Sequence, residues 1–164
     1  MIKKLNILVL TMFGIGNSKY AAGTVASFVT CLIYIWLYNF QANIYSLILT
    51  VFIIFIYSVY SIDSFKNSFS KIDAREIVID EFIGQSIPVL TIYNFIDKNN
   101  LNHFIFFTLI SFILFRIFDI LKPYPINKID RDMKNGFGVI LDDIVAGLYS
   151  AIILLIIIFF INYD

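Results

Sequence analysis

The chain has 164 residues, is 60% hydrophobic and only 15% charged, and carries no formal net charge. Soluble domains of this size are nearer half apolar and about a quarter charged, so the composition points to one integral membrane domain over residues 1–164. Zero net charge argues against nucleic acid as a partner, and the single cysteine, Cys31, lies in an apolar run and excludes an internal disulfide.

Taken in chain order, Lys3 and Lys4 precede a short apolar stretch, LNILVLTMF. It has the look of a secretory leader with Ala21-Ala22 as a cleavage region. Polar residues interrupt it early and the next segment is also apolar, so it is read as part of the working chain. Residues 14–27, GIGNSKYAAGTVAS, lead into the first long apolar run, 25–40, which can extend back through Gly23. Backbone N–H groups at a helix start, with the hydroxyls of Thr24 and Ser27, can hold a phosphate. The stretch has no Walker lysine pattern, and small residues serve helix packing equally well.

Further apolar runs at 44–61, 81–96, 104–121 and 141–161 complete the pattern. A spanning helix needs about 20 residues, so the expectation is an all-α membrane bundle of about five embedded helices. The run at 81–96 is short and contains Gln85 and Pro88; it either spans with a kink or packs half-buried against the others. The connections give an orientation. Lys3 and Lys4, then Lys66, Lys71 and Arg75, then Lys122, Lys128, Arg131 and Lys134 all fall on one side if five segments cross. The positive-inside rule makes that side cytoplasmic.

The same count gathers Asp73, Glu76, Asp80, Glu81, Asp119, Asp130, Asp142 and Asp143 on that face. Carboxylates at a membrane boundary are costly unless paired or metal-bound. In DAREIVIDEFIG, residues 73–84, a helix from Asp73 would put Glu76, Asp80 and Gly84 on one face. Asp73 with Glu76 has capping-box spacing, so that pair either starts a helix or joins a site. In FRIFDILKPYPINKID, residues 115–130, Arg116 and Asp119 sit at i and i+3 within an apolar helix. They form either a functional pair or a structural ion pair. Pro123 and Pro125 end that helix and leave Lys122 at the boundary, either snorkelling to headgroups or facing the acids. In GFGVILDDIVAGLYS, residues 136–150, Gly136 and Gly138 read as a flexible loop and Asp142-Asp143 as the opening of the last helix. Two adjacent acids exceed what a cap needs. An oxygen-rich set of this kind suits Mg²⁺, which uses a few carboxylates plus substrate phosphate.

These strings together resemble the phosphatidylglycerophosphatase A family. FGIGNSKYAAGTVAS, IVIDEFIG, FRIFDILKPYPINKID and GFGVILDDIVAG occur in that family's order and span residues 13 to 147. Ala22 stands where the family usually has proline, and Ala74 stands where proline often follows the aspartate. The resemblance implies a Mg²⁺-dependent phosphatase of the bacterial inner membrane. It would act on a phospholipid, phosphatidylglycerophosphate, to release phosphatidylglycerol, with the site facing the cytoplasm. It carries over to Asp80, Glu81, Asp119, Asp130, Asp142 and Asp143 as metal ligands. Asp80, Asp143, Arg116 and Lys122 become the catalytic set, and Thr24, Ser27, Arg116 and Lys122 the phosphate contacts. Oligomeric state is left open. The competing reading is a small cation transporter or channel subunit, since intramembrane acids also mark ion pathways; transport would need polar groups near the midplane and on both faces.

Overall fold

A computed structural model of the chain describes residues 2–65, 75–96 and 100–163. Asp73, Lys66 and Lys71 lie outside these described residues. Among the described residues there are seven α-helices: α1 (Ile2–Leu10), α2 (Ala22–Asn39), α3 (Ile44–Phe65), α4 (Ile79–Phe95), α5 (Leu101–Leu121), α6 (Ile126–Asp132) and α7 (Gly136–Tyr163). A 3-10 turn at Ile15–Asn17 joins α1 to the start of α2, and no strand occurs among the described residues. Among the described residues four helices are long and apolar enough to cross a membrane, namely α2, α3, α5 and α7. Their outer surfaces leave side chains such as Phe52, Ile53, Ile113, Phe159 and Phe160 exposed. An apolar exterior of this kind is stable only against lipid.

The fifth expected segment, α4, has 17 residues and packs against α2, α3, α5 and α7. Glu81 near its start meets Gly23 at the start of α2. Tyr93 near its end donates its hydroxyl to the Ala42 carbonyl at 2.7 Å, just past the end of α2. So α4 runs the length of the bundle, enclosed by its longer neighbours. Enclosure explains why it tolerates Gln85 and Ser86, both fully buried: the amide of Gln85 donates to Ser111 at 3.2 Å and the hydroxyl of Ser86 to the Phe82 carbonyl at 2.6 Å. Similar back-bonds from Ser27, Thr30 and Ser150 to the carbonyl four residues earlier satisfy those three hydroxyls without water.

One crossing sets the geometry of the bundle. Gly84 on α4 and Gly147 on α7 face each other so closely that a Cβ on Gly147 would lie 2.3 Å from the Gly84 oxygen. The helical donor for that oxygen would be residue 88, a proline with no N–H. Small residues at a crossing let helix backbones approach, and here they bring the second turn of α4 alongside the third and fourth turns of α7.

Two local expectations are corrected. The last helix begins at Gly136 rather than at Asp142. The Asn135 side chain accepts the Gly138 N–H at 2.8 Å, and the Asp63 carboxylate at the end of α3 accepts the Gly136 N–H at 2.7 Å. These two acceptors satisfy the helix start, so Gly136 and Gly138 are helical and Asp142-Asp143 lie in the second turn. The helix expected from Asp73 begins instead at Ile79, after a turn at residues 75–76. The Val78 N–H donates to the Leu10 carbonyl at 3.0 Å, which ties this stretch to the end of α1.

Candidate active site

The starts of α2, α4 and α7 and the end of α5 converge on a cavity of about 180 Å³. Six carboxylates border it, Asp80, Glu81, Asp119, Asp130, Asp142 and Asp143, together with Arg75, Lys122 and Lys134. Asp80, Asp142 and Asp143 are buried.

Three of the acids form a tight group. Ligand oxygens of Asp80, Glu81 and Asp143 all lie within 4.8 Å of one another. The Gly84–Gly147 crossing makes this possible, because a Cβ on Gly84 would lie 2.7 Å from the Asp143 carbonyl oxygen and 2.9 Å from the Asp143 Cβ. Glycine also matters on α2, where a Cβ on Gly23 would lie 2.0 Å from Oε1 of Glu81. The Glu81 Oε2 atom is buried with no hydrogen-bond partner among the described residues. A buried, unpartnered carboxylate oxygen is expensive, and a shared cation would satisfy it. An all-oxygen donor set suits a hard cation. The residues therefore fit a metal ion held by Asp80, Glu81 and Asp143.

The other three acids are matched to bases. The Lys122 ammonium lies 2.8 Å from Asp142 and 3.0 Å from Asp130. Arg116 pairs with Asp119 at 2.7 Å within α5, while Asp119 also acts electrostatically on Glu81 and Asp143. Lys122 caps α5 in the left-handed region, with φ 42°, and its N–H reaches the Phe118 carbonyl at 2.9 Å. Glycine is the usual residue there, and a lysine held so marks a position where the side chain's direction matters. Burial by itself lowers the affinity of the Lys122 amine for its proton. The hydrogen bonds and charges of Asp142 and Asp130 outweigh that and hold its pKa above the ordinary lysine value, so the ammonium stays charged.

Of the expected phosphate contacts, Lys122 alone borders the cavity. Arg116 stands six residues before it on α5, its guanidinium 3.5 Å from the Ser27 hydroxyl. Ser27 is fully buried and donates to the Gly23 carbonyl at 2.9 Å. Thr24 lies in the first turn of α2, where Ala22 and Gly23 line the cavity and Thr24 and Ser27 do not. Sequence reasoning counted Arg75 and Lys134 only toward membrane orientation. Nothing in periodicity marks them, because each reaches the cavity from an irregular connection.

A family model described as Phosphatidylglycerophosphatase A matches residues 8–158. A Bacteroides thetaiotaomicron protein, provisionally named a phosphatidylinositol-3-phosphatase, is 31% identical over 92% of this chain and 91% of its own length. The Escherichia coli phosphatidylglycerophosphatase A is 32% identical over 87% of this chain and 77% of its own. The Haemophilus influenzae phosphatidylglycerophosphatase A is 40% identical over 49% of this chain and 45% of its own. No solved structure matches the chain.

Proposed function

The chain belongs to the phosphatidylglycerophosphatase A family of phosphatases, and on that premise we propose that it uses Mg²⁺ to hydrolyse phosphatidylglycerophosphate at the cytoplasmic face of a bacterial inner membrane. The observation that carries the reading is the Asp80–Glu81–Asp143 group, with oxygens within 4.8 Å, in one cavity with the Lys122 ammonium. Mg²⁺ held by these three acids would supply positive charge and Lewis acidity at the phosphoryl group. Lys122 binds a phosphoryl oxygen and steadies the charge that builds there during transfer. Its ion pairs with Asp142 and Asp130 aim the ammonium from a fixed backbone position. A carboxylate of the cluster takes a proton from water as its oxygen attacks phosphorus in line with the glycerol oxygen. The bond from phosphorus to that oxygen breaks as the oxygen takes up the proton the carboxylate received, directly or through water, giving phosphatidylglycerol and inorganic phosphate. Arg116 holds Asp119 against the cluster and does not itself line the cavity.

The relative named for phosphatidylinositol 3-phosphate supports a second reading of the same site with a different headgroup. Phosphate release from each lipid in detergent, before and after EDTA, tests both readings. Activity should vanish with EDTA and return with Mg²⁺, and added Mg²⁺ should raise the melting temperature. Activity that survives EDTA would remove the metal from the mechanism. Orientation has its own check. The native Cys31 is buried, so a Lys128→Cys protein carries one reactive thiol on exposed α6. That thiol should resist impermeant reagents applied to intact cells, and labelling from outside would reverse the topology.

A further inference from the structure

We propose that Arg75 and Lys134 form a second anion subsite at the mouth of the cavity, shaped for the phosphodiester of a lipid headgroup whose terminal phosphomonoester occupies the acidic floor. This rests on the phosphatase reading and narrows its substrate class. The cavity is layered. Its floor holds the buried Asp80, Asp142 and Asp143, whereas Arg75 and Lys134 border the same space and are exposed.

The two cations differ from the other bases near the site in what they touch. Lys122 is matched by Asp130 and Asp142, Arg116 by Asp119, and Arg131 by Asp132. Among the described residues, Arg75 donates to the carbonyl oxygens of Ser18, at 3.5 Å, and Lys19. Lys134 donates to the backbone carbonyl of Asp130. Neither forms an ion pair with a carboxylate among the described residues. Carbonyls orient a cation but carry no net charge, so no carboxylate among the described residues neutralises either cation where it lines the cavity. Such a charge is needed there. Six carboxylates border the cavity, and one divalent cation with Lys122 leaves that surface negative, which repels an approaching phosphate. A guanidinium fixed at one edge by carbonyls leaves its remaining N–H groups free to grip a phosphodiester through paired hydrogen bonds.

The substrate class follows from this arrangement. It is a diacylglycerol lipid whose headgroup carries an internal phosphodiester and a terminal phosphomonoester. Phosphatidylglycerophosphate and phosphatidylinositol 3-phosphate both have this pair, and phosphatidic acid has the monoester alone. The plainer alternative is that Arg75 only ties the loop at 18–20 to the start of α4. A structural loss of that kind would reduce turnover of every lipid by the same factor.

The test is a ratio, which does not depend on how much of a variant folds. The kcat/KM of each lipid in mixed micelles is measured for the wild type and for Arg75→Gln with Lys134→Gln. The ratio of either diester lipid to phosphatidic acid should fall about tenfold or more, the scale of lost charge-assisted contacts. A fall smaller than about fivefold overturns the subsite. If the double variant cannot be produced, Lys134→Gln decides alone, with a threshold of about threefold. A wild type that cleaves phosphatidic acid as well as the diester lipids also overturns the subsite and leaves the phosphatase reading standing. A wild type that cleaves neither diester lipid instead removes that reading, and the subsite with it.

Discussion

At the end of the bundle away from the cavity, Tyr38 stacks on Phe104 with ring centroids 3.8 Å apart, and Tyr93 meets both edge-on at 5.2 and 5.6 Å. The Tyr93 hydroxyl finishes in a hydrogen bond to a backbone carbonyl. At the cavity end, three carboxylates crowd within 4.8 Å, one Glu81 oxygen and the Arg116 Nε lack partners, and Lys122 sits at a left-handed φ. The aromatic end has the features of a region that stabilises: apolar rings, preferred stacking geometries and a Tyr93 hydroxyl bonded to a backbone carbonyl. The cavity end has like charges brought together against their mutual repulsion, a cost that persists where chemistry requires it. The same helices carry both ends, so the difference lies in side chains and not in architecture.

Removing charge from the crowded end should separate activity from stability most sharply. Asp80→Asn and Asp143→Asn should each lower phosphate release ~100-fold or more, the scale of lost transition-state charge stabilisation. The melting temperature in metal-free detergent should not fall, because a repulsive contact is relieved. A drop in melting temperature that matches the loss of activity would mean these acids hold the fold. Next in size is Gly84→Ala, where the added methyl would meet Asp143 and Phe115 at under 3 Å. It should cost about 2 kcal/mol by overpacking and disrupt the acid group at the same time, so activity and thermal stability should fall together. Unchanged values for both would show that α4 and α7 can separate freely.

Arg116→Lys should keep the fold and lose roughly tenfold in activity, since a lysine cannot reproduce the planar contact to Asp119. The paired change Arg116→Leu with Asp119→Leu should recover stability while remaining inactive. An active double variant would assign the pair to packing alone. The smallest effect belongs to the aromatic end. Tyr93→Phe should lower stability by about 1 kcal/mol through its lost hydrogen bond to Ala42, with turnover per folded molecule unchanged. Reduced turnover there would show that the two ends are coupled.

Hydropathy and the positions of charges were sufficient to read a helical membrane chain, to place its apolar segments within a few residues, and to collect the acids at one end. Each of these is a property of order along the chain, because lipid selects apolar length and a dehydrated carboxylate must lie near water or a partner. The motif strings were also sufficient to reach the family. Tertiary structure decided which acids meet. Asp80, Glu81 and Asp143 converge because Gly84, Gly147 and Gly23 lack side chains where α4, α7 and α2 touch. Asp142, one residue away, turns instead to Lys122. The Asp63 and Asn135 acceptors move the start of α7 six residues ahead of Asp142, which puts Asp142 and Asp143 inside the helix and not at its opening. Arg75 and Lys134 reach the cavity only through the way irregular connections fold back. Rotation and axial register of a helix are fixed by long-range contacts, and no window of local sequence contains both sides of such a contact.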